Sequence, residues 1–398
     1  MNITVKRCGL CQHDHFEPIE TFQSQPVSSA LYEAPVTQNP LSFDLSLVRC
    51  KRCQLIQLVD YPTSSALKLQ YDWMTYNEPE RHLDDLVSQL TERFKLNNNS
   101  KLLGVSYKDA TTLTRFENNI HASASTIDYA DHTLATDYYG METIQAVLAD
   151  NQFMQDKAKQ IGRYDIILAR HILEHATDML SVINNLRRLL KEDGHIIFEV
   201  PEASKIFQQQ NYPFIWEDHI SYLFIEDIRA ISEYANMSLD FISVYEYAYE
   251  NSLIFSFSSG VDDEHTLDQP ASKKEDLLAS FKTALPNKIQ YWQDTLSLYK
   301  RKGYRICLFG AGHLSVKFIN YYQLADYLDL IVDDNPHKTG MYLPADVAKI
   351  MPSSSIDCES QPVLCLSTLS PEAETKVIEN KHRFFCHPNV TVLQAFSS

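Results

Sequence analysis

The chain has 398 residues, 44% of them apolar and 11% aromatic, with a formal charge of −17. That length predicts two or three domains, and the acidic balance excludes a protein that grips nucleic acid through phosphate contacts, which need Lys and Arg. No apolar run of 18 residues occurs and the opening MNITVKRCGLC lacks a signal-peptide core, so a soluble, cytoplasmic protein without a membrane partner is expected.

The first feature along the chain is a pair of Cys-x-x-Cys knuckles, Cys8-Gly-Leu-Cys11 and Cys50-Lys-Arg-Cys53. Each knuckle presents two thiolates to one ion, and four sulfurs complete the tetrahedral shell of a structural Zn²⁺. The 38 residues between the knuckles exceed the usual ribbon spacing, so this segment must form an excursion of its own; four unrelated cysteines are the alternative. Cys307, Cys358, Cys365 and Cys386 show no disulfide framework, which suits a reducing compartment. Residues 1–70 read as short strands and loops punctuated by Pro18, Pro26, Pro35, Pro40 and Pro62.

From Glu78 to Phe94 the apolar spacing becomes helical. KLLGVSY (101–107) then opens a series of strands and helices: STIDY (125–129), YDIILAR (164–170), a helix through MLSVINNLRRLLK (179–191), an Asp193-Gly194 turn, and HIIFEVP (195–201). Such alternation predicts an α/β fold with a parallel sheet, ending near SLIFSFSS (252–259). Residues 260–272 read as a polar linker. KKEDLLASFKTALPNKIQYWQDTLSLYKRKG reads as helical with an interruption at Pro286. A second α/β unit starts at YRICLFGAGH (304–313) and continues through LDLIVDD (328–334) and VLCLSTL (363–369).

The order of elements from 101 to 201, above all YDIILARHILEHATDMLSVINNLRRLLKEDGHIIFEVP, resembles a class I S-adenosylmethionine (SAM)-dependent methyltransferase, a Rossmann-like fold. In open α/β sheets ligands lie across the carboxyl ends of the strands, which places Arg170, His171, Glu174 and His175 at the rim of a cleft. In the resembling family the first strand runs into a glycine-rich turn. Here that turn reads Gly104-Val105-Ser106-Tyr107-Lys108-Asp109-Ala110, with Ser106, Lys108 and Ala110 at the glycine positions, so the backbone's freedom to approach a ligand is reduced. SAM binding is expected through a modified loop involving Ser106, Lys108 and Asp109, with Lys108 on the methionine carboxylate and Asp128 on the ribose; a turn or cap role is the alternative for Asp128.

Three further segments resemble the zinc-containing nucleotide-sugar C-methyltransferases that act on deoxysugars: the cysteine region, YPFIWEDHISYLF (212–224) and IVDDNPHKTGMYLP (331–344). The resemblance covers essentially the whole chain. It implies a zinc-binding domain (1–70), a methyltransferase domain (71–260), a helical connector (261–302) and a Rossmann-like domain that holds the nucleotide sugar (303–398). It also implies a reaction in which a base removes the acidified proton beside a ring ketone and the resulting enolate attacks the SAM methyl group. His219 matches the family's base, and histidine is suited to a base near neutral pH. Tyr222 and Tyr76 match tyrosines near the reacting sugar, placed to stabilise an enolate. Asp218 stands where the family has Glu, and Trp216 at an aromatic position. Glu174 and His175 would then touch the sugar, as would Gly310, Gly312, His313, Asp333 and Lys338, since a helix N-terminus at Gly312-His313 suits a diphosphate. Two other readings stay open: a nucleotide-sugar-binding scaffold that has lost SAM, and an NAD-dependent oxidoreductase using Gly310-Ala311-Gly312, whose third glycine position is Ser315.

Overall fold

The computed structural model describes residues 2–4, 7–35, 41–67, 70–71, 73–74, 78–132, 140–260, 274–345, 348–356, 360–380 and 382–396. Tyr76, Cys358 and nearly all of the expected 260–272 linker therefore lie outside the described residues.

An antiparallel sheet opens the chain. Its strands β1 (Asn2–Thr4), β2 (Phe16–Pro26), β3 (Ser42–Cys50) and β4 (Ile56–Pro62) lie in the order β1-β4-β3-β2. The segment between the knuckles is thus a long β2–β3 hairpin. The two knuckles repeat one local geometry: Gln12 and Gln54 each follow the second cysteine, each has a positive φ (58° and 65°), and each donates its N–H to the carbonyl of the first cysteine. That turn brings two thiols to one side of the backbone, and β3 and its partners carry the second knuckle to the first.

The central sheet has the order β10-β11-β8-β7-β5-β6, built from β5 (Lys101–Gly104), β6 (Ser123–Thr126), β7 (Tyr164–Arg170), β8 (Leu190–Glu202), β10 (Ser238–Tyr245) and β11 (Asn251–Ser258). Strands β6, β5, β7 and β8 are parallel, and β11 and β10 close the edge antiparallel. This is the class I methyltransferase arrangement, a mixed α/β sheet whose parallel strands carry near-continuous apolar runs because both faces are covered. Two local expectations change. The helix after β7 spans Met179–Arg187 and stops short of 191, because Leu190 already pairs with Tyr164 in the sheet. Asp193-Gly194 is a bulge inside β8, where the register jumps from Leu190 to His195; a Cβ on Gly194 would stand 2.8 Å from the Tyr164 carbonyl, which requires glycine there.

The third sheet is wholly parallel, β14-β13-β12-β15-β16, from β12 (Arg305–Phe309), β13 (Leu330–Val332), β14 (Ile350–Met351), β15 (Val363–Ser367) and β16 (Val390–Gln394). The expected break at Pro286 is absent: one helix runs Lys274–Arg301. Proline removes one N–H from its ladder, but Leu278 and Phe281 before it and Trp292 and Leu296 after it are buried in the same core, which holds the helix through the gap.

One apolar core crosses the boundaries between these units. It joins Leu45, Leu47, Ile56 and Leu58 of the first sheet to Phe207 and Tyr212, to Phe281 and Trp292 of the long helix, and to Leu308, Phe318 and Leu364 of the third unit. The strand β9 (Ser221–Tyr222), from the segment after the central sheet's β8, pairs with β4 of the first sheet. Tyr32 and Tyr342 form a two-bond bridge between the first and third units. A second core places Cys8, Leu10, Cys11 and Cys50 against Leu173, Ala176 and Met179, so the first knuckle rests on the loop after β7. Gly9 fixes that contact: its carbonyl accepts from Met179 N–H, and a Cβ would lie 3.1 Å from the Thr177 carbonyl.

Candidate active site and cysteine cluster

A cavity of about 320 Å³ lies where the three sheets meet. The carboxyl ends of β5 and β7 supply its floor, the 214–219 loop one wall, the 247–250 loop another, and the start of the helix His313–Tyr321 the roof. Among the residues singled out from sequence, Lys108, His171, Glu174, His175, Asp218, His219 and His313 line it. Gly312, His313 and Lys338 line an adjoining cavity of about 260 Å³, which shares Ser28, Ser29 and His313 with the first.

The turn after β5 is built differently from a glycine-rich cradle. Ser106 caps the following turn: its Oγ accepts from Lys108 N–H, and Asp109 answers as the partner of a capping box. The Asp109 carboxylate is fully buried and accepts from the N–H groups of Val105 (2.8 Å), Ser106 (2.8 Å) and Arg170 (3.0 Å). Burial nevertheless pushes its carboxyl up to about 7. Ser106 and Asp109 therefore point into the turn, not the cavity. Arg170 is likewise internal, donating to Glu199 and to the Lys108 carbonyl. Asp128 is exposed at an Asx turn, accepting from Ala130 N–H, away from the lining. Of this turn, Tyr107 and Lys108 face the ligand space.

His171 departs from ordinary backbone geometry, with φ 54°. A non-glycine residue there costs roughly 1–2 kcal/mol, and the left-handed bend turns the ring into a nest of carboxylates. Its Nδ1 lies 3.1 Å from Glu174 Oε1 and its Nε2 3.6 Å from Glu199 Oε1. Burial opposes charge on this ring, yet Glu78 and Glu174 hold it up to about 10, so it is an imidazolium. His175 and His219 go the other way: burial lowers both, and they stay neutral. Because the Asp218 carbonyl accepts at 2.8 Å, His175 Nδ1 carries the hydrogen and its Nε2 keeps the lone pair. The His175 and His219 rings meet edge to face at 4.8 Å, and Trp216 lies 4.6 Å from His219 and 4.1 Å from His313.

Several residues of the site had no sequence signal. Glu78, Glu142 and Glu250 come from three separate segments and line the same cavity. Burial pushes Glu142 up to about 7; burial, then the neighbouring Glu78, pushes Glu250 up to about 8. Glu217, overlooked beside Asp218, ties the three units together. It accepts from Ser28 N–H and Oγ, and pairs with Nζ of the fully buried Lys317 at 2.6 Å. Tyr222 does not line the cavity: its hydroxyl accepts from Trp216 N–H at 2.8 Å and pins the 216–222 loop. In the third unit Asp333 lies beneath the Gly310 turn, accepting from Ala311 N–H and pairing with Lys338, while its other oxygen takes Asn335 N–H. Neither Asp333 nor Gly310 lines either cavity.

The four cysteine sulfurs Cys8, Cys11, Cys50 and Cys53 lie within 4.8 Å of one another, with Cys8–Cys53 and Cys11–Cys50 at 3.5 Å. A tetrahedral ion with Zn–S bonds of 2.3 Å sets sulfurs about 3.8 Å apart, whereas a disulfide would hold a pair near 2.05 Å. Arg52 N–H donates to Cys50 Sγ at 3.4 Å, the type of contact that stabilises a thiolate in a knuckle. The donor set fits a closed, four-sulfur metal site.

Residues 76–239 match a family described as a methyltransferase domain, and residues 264–387 one described as a C-methyltransferase C-terminal domain. Over 234 residues the chain is 23% identical to the C-methyltransferase NovU of Streptomyces niveus, covering 58% of this chain. Together these matches support a C-methyltransferase family. The stretch shared with NovU spans 55% of that relative's length. Among solved structures, 1,6-didemethyltoxoflavin-N1-methyltransferase of Burkholderia thailandensis aligns with 11% identity and TM-score 0.30, covering 46% of this chain and 78% of its own. The YcgJ protein of Bacillus subtilis aligns with 10% identity and TM-score 0.29, covering 45% and 99%.

Proposed function

We propose that this protein is a SAM-dependent C-methyltransferase that acts on a nucleotide-linked keto-deoxysugar through an enolate. The observation that carries the reading is the cavity itself. It sets neutral His219 and His175 in a space otherwise rich in carboxylates, and it adjoins a second cavity whose lining, among the described residues, has Lys338 and no carboxylate.

The charge distribution supports two unlike ligands. SAM carries a sulfonium and an ammonium; Glu78 supplies negative charge to the main cavity, and Glu142 and Glu250, held up to about 7 and about 8 by burial, ionise when a cation enters. A nucleotide sugar carries a diphosphate, and Gly312, at the start of a nine-residue helix, together with Lys338, supplies the opposite charge next door. His219 is the proposed base: burial keeps its ring neutral, so its lone pair is available at neutral pH. Asp218 contributes its main-chain carbonyl, which orients His175. Protonated His171, which lines the cavity, is the positive charge proposed to support an enolate oxygen; His175, whose Nε2 keeps a lone pair, can only accept. Tyr222 acts as a positioning residue through Trp216. When bound, SAM supplies the electrophilic methyl group. The four cysteines are proposed to hold a structural Zn²⁺ beneath the loop that bears Glu174 and His175.

The competing NAD reading is disfavoured by Asp333, whose two oxygens are spent on Ala311, Asn335 and Lys338. The scaffold reading is tested directly. Calorimetric titration with SAM, then with an NDP-4-keto-6-deoxysugar, should show both binding; absence of SAM binding even with sugar present would sink the proposal. With His219→Ala, exchange of the sugar's acidic proton with solvent should fall by roughly 10²–10⁴-fold while the ion held by the four cysteines is retained. Unchanged exchange would remove His219 as the base.

A further inference from the structure

We propose that Glu174, His175 and His219 form a second divalent-metal site, distinct from the cysteine cluster and selective for ions of the zinc and cobalt class. One ligand atom from each of the three lies within 4.8 Å of the others. Around an ion with bonds near 2.1 Å, donors sit about 3.4 Å apart, a closure that modest side-chain rotation supplies. Two imidazoles and one carboxylate are the donor set that borderline divalent ions prefer, and Ca²⁺ or Mg²⁺, which want oxygen, do not.

Two independent features point to an ion at this position. Glu174 Oε2 is buried and accepts no hydrogen bond from the described residues, although Oε1 of the same carboxylate is engaged by His171. An unpartnered buried carboxylate oxygen is costly and calls for a cation or donor. In addition, the ligands already have outer-shell support: His175 donates Nδ1–H to the Asp218 carbonyl, and His171 holds the second oxygen of Glu174. Metal-bound histidines characteristically donate their other ring N–H in this way, which fixes the tautomer that coordinates. All three residues line the main cavity.

Occupation would engage His219 and His175 together. On the methyltransferase reading, an ion there takes the lone pair needed for proton abstraction, so metal loading and turnover exclude one another. The metal site itself does not depend on that reading.

The test is a Co²⁺ titration of the full-length, chelator-stripped protein without SAM or sugar. Two equivalents should bind. The first should give the intense thiolate-to-cobalt charge-transfer band of a four-sulfur site, and the second only weak visible bands without charge transfer. Glu174→Gln and His175→Ala should each remove the second equivalent and keep the first, which also reports that the fold is intact. His171→Asn keeps a residue that tolerates the left-handed backbone and should weaken the second equivalent by roughly 10–100-fold, as loss of an outer-shell partner does. Binding of a single equivalent by the wild type, or survival of the second in both ligand variants, would overturn the proposal. Either result would leave SAM binding, measured separately, untouched.

Discussion

Two strand-to-helix turns, Gly104–Ala110 and Gly310–Ser315, occupy equivalent places in their sheets, and each is plugged by an aspartate. They differ in where the aspartate comes from. Asp109 belongs to the first turn and consumes the N–H groups of Val105 and Ser106 together with that of Arg170. Asp333 comes from the end of the next strand and takes one N–H of the second turn, that of Ala311. Beyond it, a Cβ added to Gly312 would meet nothing within 4 Å. The N–H groups of Val105 and Ser106 in the first turn are therefore spent, and the turn offers the side chains of Tyr107 and Lys108; the second keeps a helix start facing an open cavity. On the proposed reading, a single fold type serves a cationic ligand in one space and a diphosphate in the other.

The largest effect expected from this contrast is on stability. Asp109→Ala takes the carboxylate acceptor from the buried Ser106 and Arg170 N–H groups, while Val105 N–H keeps the Leu168 carbonyl, at about 1–3 kcal/mol for each unsatisfied group, so the central unit should unfold at markedly lower denaturant. Asp333→Ala frees the Ala311 and Asn335 N–H groups at a half-buried site beside Lys338 and should cost less. Denaturant midpoints for the two variants would show it; equal losses would mean that the turns are not built differently.

Next in size is a separation of ligands. Lys338→Gln should weaken nucleotide binding by about tenfold, the scale of one partly exposed charge-assisted contact, and leave SAM binding as it was. Gly312→Ala should fold normally, because its φ of −125° suits any residue and its surroundings are open, while its methyl group intrudes where a diphosphate would sit. Calorimetry with a nucleoside diphosphate and with SAM would show both; equal weakening of the two ligands would break the assignment of one turn to each.

Much of this was legible in the chain. The spacing of Cys8, Cys11, Cys50 and Cys53 foretold a cluster, and the apolar runs from 101 to 201 foretold the sheet. Ser106-x-x-Asp109 is itself a capping-box pattern, but measured against a glycine-rich turn it read as a defect; the structure shows a substitute design in which an internal acid does the work. What sequence could not show is contact across distance. Glu217 meets Ser28 and Lys317 only because β9 joins the first sheet and the helix from His313 packs over the loop. Glu78, Glu142 and Glu250 share no spacing, and only the fold brings them together. Tyr222 sits in a matching segment, yet its hydroxyl is spent on the Trp216 backbone, a use that only three-dimensional packing decides.

The smallest predicted effect follows from those carboxylates. Glu142 and Glu250 are held up to about 7 and about 8 by burial, so near neutral pH each is substantially protonated in the ligand-free protein. Raised folded-state values mean that their contribution to stability is present below the ordinary glutamate range and is lost as pH climbs through 7 to 8. A cationic ligand in the cavity prefers them ionised and lowers both values. SAM binding at pH 7 should therefore release protons, and its affinity should rise between pH 6 and 8 by several-fold. Calorimetry at pH 7 in two buffers of different ionisation enthalpy would measure the release, and Glu250→Gln should reduce it. A nucleoside diphosphate in the second cavity, ringed by Lys338 and the helix start, should show no such rise. Proton uptake on SAM binding, or the same pH response for both ligands, would mean that the main cavity is not the cationic ligand's site.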